Sequence, residues 1–227
     1  WWSPTGGLSL LPLHAAVPAD IISSYAPTLR LLTTAAARHR EFGDALVVAP
    51  AVDLPALERE IDAVTRRHPH ARTLTGPQAT VDQVSRDITG AAITHFCAHG
   101  ITDPHRPSLS GLELADRDLT VADISRLPLT RTWLTYLSAC STAEGNDLLP
   151  EESLTVAAAF AVAGSQHVIA ALWPVADQQA ADVATTFHTA LSRGLPPANA
   201  LHQAVGQLHT DHPDRPAIWA PFVHLGP

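Results

Sequence analysis

Apolar residues along the chain follow two alternating rhythms, short continuous runs and stripes at three- and four-residue spacing, and the alternation becomes regular from Ala45 onward. The run Ala45–Ala49 predicts a strand buried on both faces, and the segment after it carries Leu54, Leu57, Ile61 and Val64 as one apolar stripe of a helix. A short strand over residues 71–75, a helix over 78–89 and a strand over 91–99 follow. Residues 101–110 are polar and contain proline, which predicts a loop, and residues 111–115 predict a small hairpin strand. Thr120 with Asp123 has the spacing of a capping box, opening a short helix to Leu127. Residues 133–137 predict a strand, 141–152 a loop, and 154–163 a helix that Gly164 can end. A strand over 167–173 is stopped by Pro174. Asp177 then opens a helix with Ala180, Val183, Ala184, Phe187 and Leu191 facing inward, ended by Gly194 and two prolines. A further helix bears Leu201, Ala204, Val205 and Leu208, and residues 222–225 are the last strand. Ahead of this repeat, residues 8–13 read as an early strand or edge segment and residues 27–39 as a helix.

Strands that alternate with helices pair in parallel through right-handed crossovers. The expected class is therefore α/β, a three-layer fold with a mostly parallel central sheet and helices on both faces. At 227 residues, with neither an internal repeat nor a convincing linker, the chain reads as a single domain over residues 1–227. Its 46% hydrophobic and 16% charged residues suit a protein with a core, neither disordered nor fibrous. The formal charge of −8 argues against nucleic acid or an anionic membrane as partner and is compatible with basic peptides. Two cysteines make no disulfide framework, and neither a signal peptide nor a long apolar span is present, so a cytoplasmic location is expected. The chain starts at Trp1 and has no methionine, which suggests the carboxyl-terminal piece of a longer protein.

Two stretches carry the candidate chemistry. In TWLTYLSACSTAEG, residues 132–145, an apolar strand runs into Cys140, and Ser138, Ala139, Ser141 and Thr142 leave room beside it. That is the setting of an exposed nucleophile, against the alternative of a buried, inert cysteine at a strand end. In AAITHFCAHG, residues 91–100, a second apolar strand ends in His99 followed by Gly100. Neighbouring parallel strands lie about 4.8 Å apart, so a thiol and an imidazole just past two strand ends can form a Cys-His dyad. With 13 histidines in the chain, a solvated or structural role for His99 is the ordinary alternative.

The sequence resembles the CHAT domain, a caspase-like cysteine peptidase module of the clan that includes separase, clostripain and gingipain. The resemblance rests on GGLSLLPLHAA near the start, SYAPTLRLL (24–32), THFCAHG (94–100), LTVADI (119–124), LSACSTAEG (137–145), AFAVAGSQHVIAALWPVAD (159–177) and WAPFVHLG (219–226). One departure is that Ala98 stands where the family usually has a cysteine before the histidine, with Cys97 one place earlier. The resemblance implies a cysteine endopeptidase acting on a protein substrate through His99 and Cys140, with backbone N–H groups of Gly100 and Cys140 as the oxyanion hole. In clan members that cut after Arg or Lys, an acidic residue beyond the strand following the nucleophile lines the primary specificity pocket. Asp177 is the position here that resembles it, against the alternative that it is simply a helix N-cap. Acidic residues Glu144, Asp147, Glu151 and Glu152 would add a field favouring a cationic substrate. The family commonly carries helical repeats ahead of this module, so an amino-terminal helical-repeat region or a separate activating partner is expected beside the protein substrate.

No cofactor and no metal are expected, since Cys97, His99 and Cys140 lack zinc-ligand spacing. An α/β-hydrolase would need a different elbow and a histidine downstream of its nucleophile. The stronger rival is a caspase-like protein-interaction module with little or no proteolytic activity.

Overall fold

The computed structural model describes residues 1–38, 43–50, 56–103, 105–139 and 150–227. After helix α1 (Leu29–Ala36), strand β1 (Ala45–Ala49) is buried along its whole length, as a continuous apolar run demands. Helix α2 (Leu57–Thr65), strand β2 (Arg72–Thr75), helix α3 (Val81–Ile88) and strand β3 (Ile93–Ala98) follow. Three short strands, β4 (Gly100–Ile101), β5 (Gly111–Leu112) and β6 (Leu119–Thr120), form a small antiparallel sheet of their own. Helix α4 (Val121–Ile124) opens on the predicted capping box, with Thr120 and Asp123 satisfying each other's backbone. The chain continues through β7 (Leu134–Ala139), α5 (Pro150–Ala163), β8 (His167–Ala171), α6 (Asp177–Ser192), α7 (Pro197–Asp211), α8 (Pro216–Trp219) and β9 (Phe222–Leu225).

The main sheet has the order β2-β1-β3-β7-β8-β9, parallel from β2 to β8. Strand β9 runs antiparallel to β8, so the sheet is mixed and mostly parallel, the class expected from the alternation of strands and helices. Two long helices, α6 and α7, stand between these strands, so the chain returns to the edge it left before β9 begins. Side chains alternate between the two faces of the sheet. On one face Leu46, Val48, Phe96, Leu137 and Val168 pack with α3, α4 and α5 around Phe160. On the other, Val47, Ile93, Leu134, Tyr136 and Ile169 pack with α2, α6 and α7 around Phe187. The fold is thus α/β in three layers. Among the described residues no helix is long and apolar enough to cross a membrane.

Residues 8–13 are not a strand. They fall in and between two 3-10 turns, Gly6–Leu10 and Leu13–Ala16. Gly6 at φ 57° and Pro12 bracket the run, and its backbone closes local bonds, Leu11 N–H to Leu8 O and Ala15 N–H to Pro12 O, instead of joining a sheet. Helix α5 starts at Pro150, before the expected 154, which takes Glu151 and Glu152 out of the predicted loop and into a helical first turn.

The segment around Ser24 and Tyr25 covers the β9 edge. Tyr25 N–H donates to His224 O, and Gly226 N–H donates back to Tyr25 O. Behind it, Ser24 Oγ lies 2.8 Å from His224 Nδ1, and His224 Nε2 lies 3.0 Å from His167 Nδ1. His14 Nδ1 lies 2.9 Å from the Tyr25 hydroxyl. Burial drives the pKa of His14 down to about 4, and burial with neighbouring His167 drives His224 well below the usual histidine range. Both folded-state values are depressed, so below about pH 6.5 the unfolded chain takes up protons that the folded chain refuses. Stability is therefore complete above that pH and falls by about 1.4 kcal/mol per pH unit for each histidine on acidification. Urea denaturation at about pH 7 and about pH 5 should show this loss, continuing for His14 to about pH 4. An unchanged midpoint would mean that both rings are open to water.

Candidate active site

Strands β3 and β7 lie side by side at the centre of the main sheet and end together. Their parallel register runs from Ile93 opposite Leu134 to Ala98 opposite Ala139. In sequence, the residue after β3 is His99 and the residue after β7 is Cys140. Cys140 itself lies outside the described residues, together with Glu144 and Asp147. His99 is half-buried at the strand end. Its carbonyl accepts the N–H of Glu113 at 2.9 Å, which sets the phase of the β4–β5 ladder. Gly100 then faces Leu112 in a non-hydrogen-bonded pair, so its N–H points away from β5. Beside this edge Ser138, two residues before Cys140, keeps a buried Oγ that has no hydrogen-bond partner among the described residues.

Asp177 stands past the end of β8, the strand next to β7, at the first residue of α6. It does not cap the helix. The N-cap position belongs to Ala176, and no side chain makes a cap hydrogen bond there. Asp177 Oδ1 is buried and, among the described residues, accepts nothing. Gln179 Oε1 in the same first turn is buried and unpartnered in the same way, a residue that sequence reasoning passed over. His99, Gly100 and Asp177 therefore share the carboxyl-terminal edge of parallel strands β3 and β8, which flank β7, and such edges are where α/β sheets place their sites.

A second group of polar residues, also missed in the sequence, lies inside the protein. His95 sits in the middle of β3 with no exposure, and its Nε2 lies 3.0 Å from Glu60 Oε2 of α2. The Cys97 thiol donates to the same oxygen at 3.3 Å, and His95 Nδ1 lies 3.1 Å from His188 Nε2 of α6. Tyr136 stacks flat on the His95 ring, centroids 4.6 Å apart. Cys97 is a thiol and not half of a disulfide. The signal for this group was present: His95, Cys97 and His99 alternate along one strand, and Glu60 falls between Leu57 and Val64 on the inward stripe of α2.

Compared with known proteins, the chain matches a family model described as the CHAT domain over residues 1–227. No curated protein matches it by sequence. Among solved structures it is similar to Saccharomyces cerevisiae separase, in two crystal structures of the separase-securin complex. The identity is 14%, the TM-scores are 0.68 and 0.69, and the match covers 96% of this chain and 14% and 15% of those chains. It is also similar to the Arg specific cysteine proteinase gingipain R, at 11% identity and TM-score 0.55, over 81% of this chain and 46% of that one. Porphyromonas gingivalis RgpB, in a complex of its pro- and mature domains, gives the same identity and TM-score with 47% of that chain covered. The chain thus spans a small fraction of the separase chains and about half of gingipain R. Likenesses at these identities establish a shared caspase-like fold.

The buried pair of Glu60 and His95 makes its own test. Glu60→Ala strips the acceptor from His95 and Cys97 inside the protein and should destabilise the fold by about 3–5 kcal/mol, read from urea denaturation. Glu60→Gln keeps an acceptor oxygen and should cost less.

Proposed function

The chain belongs to the CHAT domain family of caspase-like cysteine peptidases, and from that premise we propose that it is a cysteine endopeptidase cleaving protein or peptide substrates after Arg or Lys. The observation that carries the reading is the register of β3 with β7, which makes His99 and Cys140 the residues that directly follow two paired strand ends. In this reading His99 takes the Cys140 thiol proton, and the thiolate attacks the scissile carbonyl carbon. A neighbouring imidazolium lowers a thiol pKa from about 8.5 to roughly 3.5–7.5, so the thiolate is available at neutral pH. The carbonyl oxygen becomes an oxyanion received by the Gly100 and Cys140 N–H groups, and the outward N–H of Gly100 supports that role. As the C–N bond breaks, His99 returns the proton to the leaving amine. Water, activated by the same imidazole, then releases the acyl group.

Asp177 supports the basic preference. A buried carboxylate oxygen without a donor is costly to leave unsatisfied, and the guanidinium or ammonium of a substrate supplies the missing donor together with the opposite charge. The gingipain R likeness, to a protein described as Arg specific, is consistent with this. Glu151 and Glu152, in the first turn of α5, add charge that acts on encounter and is screened by salt.

Cys140→Ala and His99→Ala should each abolish peptide hydrolysis with the circular dichroism spectrum intact. The double variant should be no worse than either single one, because a nucleophile and its base act as a unit. Retained hydrolysis in Cys140→Ala overturns the peptidase reading. A wild-type chain that resists active-site thiol reagents and cleaves nothing would mark a protein-interaction module. On a peptide library the wild type should cut after Arg or Lys and little after Asp. Asp177→Ala removes a desolvated charge partner, about 2–5 kcal/mol, and should slow turnover of an Arg substrate by about 30-fold to several thousand-fold. A preference for Asp or apolar residues before the cut rejects the pocket.

A further inference from the structure

Glu60, His95 and Cys97 bring a carboxylate oxygen, an imidazole nitrogen and a sulfur to one point, with all three ligand atoms within 4.8 Å of one another. None of the three residues is more than 4% exposed. These are the three donor types that zinc selects, and their spacing suits the ion. Zinc bonds of about 2.0–2.3 Å set the edges of a coordination tetrahedron at about 3.3–3.8 Å. The two edges that meet at Glu60 Oε2, 3.0 Å to His95 Nε2 and 3.3 Å to Cys97 Sγ, need to open by only a few tenths of an ångström, and the third lies within 4.8 Å. The surroundings match a closed site. Ala49, Leu57 and Ile61 supply an apolar shell. Tyr136 stacks on the His95 ring, and the other ring nitrogen of His95 has an outer partner in His188 Nε2 at 3.1 Å, in the place where a metal-bound histidine ordinarily meets a carboxylate, carbonyl or water.

Charge supplies the driving force. Among the described residues the ion-pair partner of buried Glu60 is His95, and neither Arg nor Lys reaches it. A divalent ion held by one thiolate, one carboxylate and one neutral imidazole makes a site of zero net charge, which burial tolerates far better than an isolated anion. We propose that Glu60, His95 and Cys97 form a buried structural site for a zinc-class divalent cation, clamping α2 to β3 beneath the strand end that carries His99. Binding releases to solvent the Cys97 thiol proton and the His95 Nε2 proton that faces Glu60, leaves the remaining His95 proton on Nδ1 facing His188, and draws the fourth donor from the second Glu60 oxygen or a water.

The chain has two cysteines and no methionine, so in Cys140→Ala the sulfur of Cys97 is the only one left. Untagged Cys140→Ala protein would be produced in zinc-supplemented cells and, separately, refolded with Co(II), then desalted. The expected result is one metal per chain, a thiolate-to-cobalt charge-transfer band, and a zinc X-ray absorption spectrum with one sulfur at about 2.3 Å and nitrogen or oxygen at about 2.0–2.2 Å. Adding Cys97→Ser should remove the band and the sulfur shell, and adding His188→Phe should weaken Co(II) binding by about 10- to 100-fold. Folded zinc-grown protein that carries no metal, or metal bound without sulfur, overturns the site and leaves a hydrogen-bonded polar network. Because Cys140 is absent throughout, the outcome is independent of whether the chain is a peptidase.

Discussion

Strand β3 is covered on both faces and paired along both edges, by β1 and by β7, so a titratable group in its middle is cut off from water and has to be met by a group from the packed helices. His95 meets this condition by reaching α2 through Glu60 and α6 through His188. Those contacts fix how the two helices lie against the sheet, since α2 and α6 also pack on each other and share the core around Val64 and Phe187. A strand of six residues, all of them buried, thus decides the placement of one whole layer.

The same burial sends solvent-facing chemistry to the ends of the strands. Polar residues of the described chain gather where β3, β7 and β8 give out: His99 beyond the first, Ser138 near the end of the second, and Asp177 and Gln179 beyond the third. In a parallel sheet these ends fall on one edge because every crossover returns the chain to start the next strand from the opposite edge. The small β4-β5-β6 sheet borders that edge and sets the direction of the Gly100 N–H through the contact between Glu113 and His99.

Helix α6 belongs to both regions. Its first residue is Asp177 at the edge, and His188, eleven positions later and about 16 Å along the axis, touches His95 in the interior. A rigid helix packed along its length by Val183, Ala184, Phe187 and Leu191 therefore ties the buried cluster to the strand-end site.

Much of this was legible in the sequence because it depends on local pattern. Continuous apolar runs located β1, β3, β7 and β8, helical stripes located α2, α6 and α7, and Thr120 with Asp123 announced α4. The two strands running into His99 and Cys140 were visible for the same reason. Where the sequence misled, the deciding contact was distant or the residue types were ambiguous. The run at residues 8–13 is apolar enough for a strand but is bent by Gly6 and Pro12 into 3-10 turns. The direction of β9 depended on two helices intervening, and β6 is two residues long and exists through pairing with β5. For Asp177 the sequence left both cap and pocket open, and only the folded backbone, by giving the cap position to Ala176, set the cap aside. By itself, then, the sequence determined the α/β layering, the family likeness and the strand ends that His99 and Cys140 directly follow, since periodicity and short motifs are local properties. The tertiary structure alone decided that Glu60, His95, Cys97 and His188 meet, because residues 35 to 93 positions apart become neighbours only when helices pack across a sheet.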